Sequence, residues 1–316
     1  MNAKLRTNNY TEMFEMKRET NTIRVGFTLV ELLTTLAVIG ILLGLLIPAL
    51  NQVSKFAANV KQKAQFHAIG MALEAFRNDW GDYPPSEWDP ATYGDYSASQ
   101  RLAEAIIGRD GFGFHPSSRF REDGTDGTKP LYAPAVDLSL DPDNLKSRKG
   151  PYLELESANA VDLAKLYGGA VPGNYLVSSY VLVDMYKIQN AFTGKTTGTP
   201  ILYYKANRLK TAHDAAKASP DSATNQCTYN VYDSLGNLTS GIASLQPLTK
   251  AKAKHDMFTS GGVLFYDKTL NPNFPGDRLT KVGARPYRAD SFLLHSAGPD
   301  GLYGTADDVF NFDQDN

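Results

Sequence analysis

The sequence predicts an α+β protein built on a long N-terminal helix, and three observations lead to this prediction. An apolar segment runs from Phe27 to Leu50 with a single charged residue, Glu31. A pattern of helical period continues beyond it to about Gly81, and short runs of β-branched and aromatic residues follow towards the C-terminus. The long helix therefore comes first along the chain and the strands come later.

The composition excludes several classes of protein. With 42% apolar residues, the 316-residue chain is too apolar for a disordered protein. Its mean hydropathy of −0.32 is too low for a polytopic membrane protein. The net charge of −2 gives no sign of a nucleic-acid partner. The single cysteine, Cys227, cannot form an intrachain disulfide or a zinc site of several thiolates.

The apolar segment is predicted to span a membrane. As a helix, residues 27–50 would be about 36 Å long, which exceeds a hydrocarbon core of about 30 Å. The segment lacks the Ala-x-Ala site of a cleaved secretory signal. A plain membrane anchor stays open as an alternative, but it leaves Glu31 unexplained, because an ionisable residue in lipid is costly and often functional. Basic residues before the segment favour a cytoplasmic N-terminus: Lys4, Arg6, Lys17, Arg18 and Arg24.

The helix is predicted to continue over residues 51–81. The helix-breaking sequence Tyr83-Pro84-Pro85 follows this range. Apolar residues at spacings of three and four predict that one face packs on the rest of the protein. These residues are Val53, Phe56, Ala57, Val60, Ala64, Ala68, Met71, Ala72, Ala75 and Phe76.

Residues 82–285 show no uniform pattern. We expect strands within 175–186 and 200–205, where β-branched and aromatic residues are frequent, and short helices or helical turns within 160–167 and 213–218. The five histidines are scattered singly, and the range contains neither a hydrolase motif nor a complete dinucleotide-binding motif. No enzyme activity is predicted.

The C-terminal part is predicted to contain two strands and an acidic loop. The strands are expected at 261–268 and 291–296, and a glycine-rich loop follows the second strand. Carboxylate oxygens are suitable ligands for a hard cation such as Ca²⁺, although composition alone favours an acidic surface loop. The aspartates of this loop are Asp300, Asp307 and Asp308.

The string Gly26-Phe27-Thr28-Leu29-Val30-Glu31 resembles the processing site of type IV pilins and of the pseudopilins of type II secretion systems. In that family a prepilin peptidase cleaves after the glycine and methylates the new N-terminal amine. The resemblance implies a leader over residues 1–26 and a mature, N-methylated N-terminus at Phe27. Glu31 matches the acidic residue involved in assembly, and Pro48 matches the proline at which family helices bend or locally melt.

Glu31 has two possible partners after such cleavage. Its carboxylate can pair with the Phe27 amine of a neighbouring subunit, which would favour the correct axial register of helices packed in lipid. Alternatively, it can pair with the amine of its own chain, four residues away. Both interactions are compatible with the sequence.

The loop after the last predicted strand resembles the calcium loop of the major pseudopilin. The resemblance implies one bound Ca²⁺ and assigns residues 286–316 to a C-terminal strand and calcium-type loop, with 82–285 as a large insertion. The implied ligands are the side chains of Asp300, Asp307 and Asp308, with Ser296 and the carbonyl groups of Leu294 and Val309.

Together the two motifs imply a pilin-like fold in which an antiparallel sheet packs on the second half of the long helix. The implied function is structural, as a pseudopilin in the periplasmic filament of a type II secretion system that exports proteins. The chain would cross the bacterial inner membrane once, with its soluble domain in the periplasm. Implied partners are the prepilin peptidase, other pseudopilins, the inner-membrane secretion platform and the lipid bilayer. The alternatives are a major or minor type IV pilus subunit, and a binding or enzymatic domain displayed on a pilin-type anchor.

Overall fold

A computed structural model describes most of the chain. The described residues are 26–93, 96–137, 141–167, 179–235, 247–248, 254–277 and 282–313. The predicted leader therefore lies outside them, apart from Gly26. Internal contacts divide the chain into two compact units, Met1–Gln52 and Val53–Asn316.

The long helix α1 runs from Leu29 to Trp80 and has 52 residues. Its end agrees with the prediction from the sequence. Gly81 adopts a φ of 88°, in the left-handed region that favours glycine, and its amide donates to the Arg77 carbonyl at 2.7 Å. The two prolines at 84 and 85 then prevent the helix from continuing.

The first part of α1 carries exposed apolar side chains on all sides. Every large apolar residue described between Leu29 and Leu50 is about half exposed or more. The most apolar window of the helix has a mean hydropathy of 2.5, and none of it is buried. Within the described residues, α1 is the one helix that is long and apolar enough to cross a membrane.

The second part of α1 has a buried face, and the sequence pattern located it only in part: of the predicted stripe, Ala72 and Phe76 are buried. Phe66, Ile69, Leu73 and Phe76 are buried, together with the polar Gln65. Met71, which was expected on the packed face, is exposed, and so are three earlier members of the predicted stripe, Val53, Phe56 and Val60. The Gln65 amide explains the difference: it donates to two backbone carbonyl groups of the domain, at 2.9 and 3.1 Å, so a polar residue lies in the contact.

Shorter elements make up the rest of the described chain. The helices are α2 (Pro90–Tyr93), α3 (Ala98–Ile107), α4 (Pro142–Ser147), α5 (Leu155–Ala158), α6 (Leu163–Tyr167), α7 (Tyr232–Leu235), α8 (Asp256–Thr259) and α9 (Val263–Thr269), with 3₁₀ turns at Pro116–Ser118 and Ala215–Lys217. The strands are β1 (Ala160–Asp162), β2 (Tyr180–Leu182), β3 (Ile188–Gln189), β4 (Thr196–Thr197), β5 (Leu202–Lys205), β6 (Phe292–Ser296) and β7 (Val309–Phe310).

The largest sheet of the described part is antiparallel and has the order β5-β6-β7. Tyr203 pairs with Leu294, and Ser296 pairs with Val309. Two further antiparallel pairs, β1-β2 and β3-β4, form sheets of their own. These elements and α1 give the predicted α+β layout. Strand β5 lies within the range that the resemblance treats as an insertion, so the main sheet combines that range with the C-terminal part.

Both faces of the main sheet are buried. Tyr203 and Leu294 belong to one apolar cluster, with the buried face of α1 and with α3. Tyr204 and Leu293, which point to the opposite side because side chains alternate along a strand, belong to a second cluster that includes Phe265 of α9. The sheet is therefore the central layer of the domain.

Helix α3 is fully buried and was not predicted. All ten of its residues are buried, and Ser97 and Gln100 form a capping box at its start. A Ser-x-x-Gln spacing before an apolar run is a known helix-start signal, so the sequence contained the information.

The structure corrects or narrows four other predictions. Residues 261–268 were expected to be a strand, but the helix α9 covers most of them. The range 160–167 is a short strand followed by a helix, 213–218 contains a 3₁₀ turn, and only 180–182 of the range 175–186 is a described strand. Residues 175–178 lie outside the described part.

Candidate functional site

The predicted cleavage site lies directly before α1. Gly26 and Phe27 are exposed and precede the first helical residue, Leu29. A Cβ atom added at Gly26 would meet nothing within 4 Å. The peptide bond between Gly26 and Phe27 is therefore accessible in the structure.

Glu31 caps the helix on which it lies. Its carboxylate accepts hydrogen bonds from the backbone amide and the hydroxyl group of Thr28, at 2.9 and 2.8 Å. The Thr28 hydroxyl in turn accepts from the Glu31 amide at 3.2 Å. This reciprocal pattern is a capping box, and it holds the carboxylate at the positive end of the helix dipole. Pro48, the other residue assigned to assembly, lies within α1.

The C-terminal loop connects β6 to β7 and turns at glycines. Gly298 has a φ of 69°, and a Cβ atom there would lie 2.1 Å from the Asp307 carbonyl oxygen, so no other residue fits. The Asp307 carboxylate accepts from the Asp300 amide at 3.1 Å and from the Thr305 hydroxyl. The Asp300 carboxylate accepts from the Leu302 amide at 2.8 Å. Burial, with repulsion from Asp307 and Asp308, raises the pKa of Asp300.

Asp308 has a different set of partners. Its side chain is fully buried and accepts from the Gly304 and Thr305 amides at 2.9 and 3.3 Å. Two basic side chains also reach it: His295 Nε2 lies 3.0 Å from Oδ2, outside hydrogen-bond geometry, and Lys268 Nζ lies 3.4 Å away. Asp308 is thus neutralised from within the protein.

The remaining predicted calcium ligands are engaged elsewhere or lie in strands. The Ser296 hydroxyl donates to Asp184 at 2.8 Å and accepts from the Gly298 amide at 3.1 Å. The Leu294 carbonyl accepts from the Asn311 amide at 3.2 Å, and Val309 lies in β7.

The described residues do not fit a Ca²⁺ site in this arrangement. None of them forms a group of three or more His, Cys, Asp or Glu side chains placed to hold a metal ion. Asp300 and Asp307 lie side by side, but Asp308 faces two bases, which compete with a cation. Calcium binding stays a prediction from the sequence.

A buried acid that was not predicted from the sequence lies beside the loop. Asp184 accepts from Ser296 and from the backbone amides of Thr199 and Tyr186, at 3.0 and 3.3 Å for the amides. Burial raises its pKa to about 7. Gly198 is required next to it, because a Cβ atom there would lie 2.1 Å from the Asp184 carbonyl oxygen. The only signal in the sequence was an acidic residue within an apolar run.

A second buried acid, Asp233, is hydrogen-bonded to the segment that follows α1. Asp233 accepts from the Ser86 hydroxyl at 2.6 Å, and burial raises its pKa to about 7. Arg101, also fully buried, donates to the carbonyl groups of Ser86 and Glu87 at 2.9 and 2.8 Å and stacks on Tyr93.

A cavity of about 550 Å³ opens beside this segment. Its walls carry charges of both signs, including Asp82, Lys205, Arg208 and Asp290, together with Tyr93. The cavity is therefore polar and shows no preference for an anion or a cation.

Comparison of the chain with protein-family models, with curated proteins and with solved structures finds no match. The resemblance to pilins and pseudopilins therefore depends on the two motifs at the ends of the chain.

Proposed function

We propose that the protein is a pilin-like filament subunit, processed between Gly26 and Phe27 and anchored in the bacterial inner membrane by the first part of α1. One observation carries the proposal: the Gly-Phe-Thr-Leu-Val-Glu string is exposed and lies at the start of α1, whose first part is apolar on all sides. A helix of this type needs lipid or other helices around it, because the exposure of its apolar surface to water is unfavourable.

The exposed apolar surface of α1 supports assembly with other subunits. It continues past the predicted membrane span to Val53, Phe56 and Val60, and Phe56 is 70% exposed. Lipid tails do not extend far beyond the span, so packing against neighbouring helices is the simplest way to cover these residues. We therefore propose that other pseudopilins and the inner-membrane secretion platform are partners of the protein.

The position of the Glu31 carboxylate suits the proposed assembly chemistry. It belongs to the fourth residue after Phe27, where cleavage creates a new amine, and it already accepts two hydrogen bonds from Thr28. Cleavage adds a positive charge at Phe27, and a buried opposite charge nearby offsets the cost of placing either group in lipid. Glu31 would thus serve both as a helix cap and as the partner of an amine.

Within the family, we favour a pseudopilin of a type II secretion system. The C-terminal loop resembles that of the major pseudopilin, and the single Cys227 cannot make the disulfide with which type IV pilins more often close this region. A displayed binding domain is the second candidate, and the polar cavity of about 550 Å³ is the observation that favours it.

Processing is tested by intact mass spectrometry of protein extracted from membranes of cells that express prepilin peptidase. We expect a mature chain that begins at Phe27 and carries one additional methyl group. Gly26→Val should abolish cleavage, because the larger side chain obstructs the peptidase, whereas Gly44→Ala, a matched change within α1, should be processed normally. A chain that retains Met1, or that begins beyond Leu50, contradicts the proposal.

Assembly is tested by crosslinking tagged variants to wild-type subunits in membranes. Glu31→Gln keeps a hydrogen-bond acceptor for Thr28 but removes the charge, whereas Glu31→Ala removes both. If the charge pairs with a neighbouring amine, both variants should insert normally and crosslink several-fold less. Loss of crosslinking in Glu31→Ala alone would reduce the role of Glu31 to helix capping.

A further inference from the structure

Helix α9 brings a lysine to the C-terminal loop. Phe265, Tyr266 and Thr269 form its buried face, and Phe265 packs on Tyr204 of the main sheet with 4.7 Å between the ring centroids. Lys268 lies in the last turn and is only 20% exposed at its side chain. Its direction is therefore fixed by the packing of the helix.

The ammonium group of Lys268 contacts two groups of one loop. It donates to the backbone carbonyl of Thr305 and lies 3.4 Å from the Asp308 carboxylate. A carbonyl oxygen and a carboxylate oxygen from neighbouring residues are also the donors that a loop offers to a hard metal ion. The lysine thus occupies a position that a cation would otherwise need.

Asp308 requires such a positive charge. Its side chain is fully buried, and a buried carboxylate without a counter-charge is strongly destabilising. His295 lies on the same face of β6 as Leu293, towards the cluster that contains α9, and provides the second basic contact. The sheet and α9 therefore supply bases to Asp308 from two directions.

We propose that the Lys268 ammonium group is the cation that closes the C-terminal loop, and that the loop holds its structure without a metal ion. Asp300 and Asp307 contribute by accepting backbone and hydroxyl hydrogen bonds within the loop. This inference is independent of the proposed filament function, because it concerns only how the loop is held.

The first test uses the full-length wild-type protein in detergent micelles. Melting curves are recorded by near-ultraviolet circular dichroism with millimolar CaCl₂ and with excess EGTA. We expect the same Tm in both solutions, since the loop needs no metal. A Tm that rises by several degrees with CaCl₂ and falls with EGTA would overturn the proposal.

The second test asks whether Lys268 acts on Asp308. Lys268→Met should lower the Tm by about 5 °C or more, because it leaves the buried carboxylate with one basic contact fewer. Hydrogen exchange should rise in peptides covering residues 297–309. Lys146→Met, which removes an exposed lysine paired with Asp143, is the matched control and should leave both measurements unchanged.

A double-mutant cycle separates this interaction from a general loss of packing. In an Asp308→Asn background, Lys268→Met should reduce the Tm by much less than in the wild type, because no carboxylate is left unpaired. An equal loss in both backgrounds would overturn the proposal. If Lys268→Met fails to fold, Lys268→Arg, which keeps a cation, should restore the folded protein, and the CaCl₂ and EGTA comparison still applies to the wild type.

Discussion

The two parts of α1 share one helix but have opposite surroundings. Before Gln52, apolar residues occupy every side of the helix and stay exposed; Leu42 is 60% exposed. After Val53, buried residues recur at helical spacing, and Ile69 and Leu73 are fully buried. A helix with an apolar stripe finds its partner within the same chain, whereas one that is apolar all round must find it outside.

The largest expected effect comes from deleting matched leucine side chains in the two parts. Leu73→Ala should destabilise the folded domain by about 3–5 kcal/mol, because it leaves a cavity between α1, α3 and the main sheet. Leu42→Ala should leave the Tm unchanged, since that side chain is exposed and its removal leaves no cavity. Melting of the full-length variants in detergent distinguishes the two, and equal losses would show that the two parts do not differ as described.

The next effect concerns pH, because buried acids occur in the domain. Burial raises the pKa of Asp233 to about 7, against a value near 4 in the unfolded chain. Between about pH 4 and pH 7 the unfolded state loses this proton first, so stability should fall as pH rises and then level off. Asp233→Asn should remove this loss, which we expect to reach about 3–4 kcal/mol.

Melting curves of the wild type and Asp233→Asn from pH 4.5 to pH 8 provide the measurement. The variant should gain relative stability as pH rises, while Arg101, Glu87 and Ser86 keep their places around it. Burial also raises the pKa of Asp184 to about 7, and the substitution leaves this residue in place, so its contribution should cancel in the difference. A constant difference across this range would contradict the assignment.

The smallest expected effect is at the surface of the second part of α1. Lys63 and Asp313 form an ion pair at 2.5 Å, but their side chains are 61% and 81% exposed. Solvent and salt screen such a pair, so Lys63→Met and Asp313→Asn should each leave the Tm within experimental error. A clear loss in either variant would mean that this part of the helix depends on surface contacts as well as on its buried face.

The sequence predicted the elements whose signals are local. The end of α1 followed from the prolines at 84 and 85, and the strands at 200–205 and 291–296 followed from their apolar and aromatic residues; β5 and β6 confirm both strands. These signals act within a few residues, so no knowledge of the fold was needed.

The helix α9 shows where local composition is insufficient. Residues 261–268 contain Val263, Phe265 and Tyr266, which are of types that favour a strand. In the structure, Phe265, Tyr266 and Thr269 meet the core at helical spacing, so packing on the second cluster outweighs intrinsic preference. A strand there would place Lys268 differently, and the contact with Asp308 could not have been predicted.

The candidate loop shows the same limit for sites. The sequence placed Asp300, Asp307 and Asp308 in one loop, and the structure agrees. The sequence alone could not show that Lys268 and His295, which are distant from the loop along the chain, both approach Asp308. Such partners become visible only when the order and register of the strands are known.

The pairing of β5 with β6 has a consequence for synthesis of the protein. The buried face of α1 rests on a sheet whose central strand, Phe292–Ser296, lies far along the chain from α1. Translation proceeds from the N-terminus, so Phe66, Ile69 and Leu73 are made long before that strand leaves the ribosome. The main sheet can therefore form only after β6 has been made, and a chain that stops before residue 292 lacks the central strand of the layer on which the buried face of α1 packs.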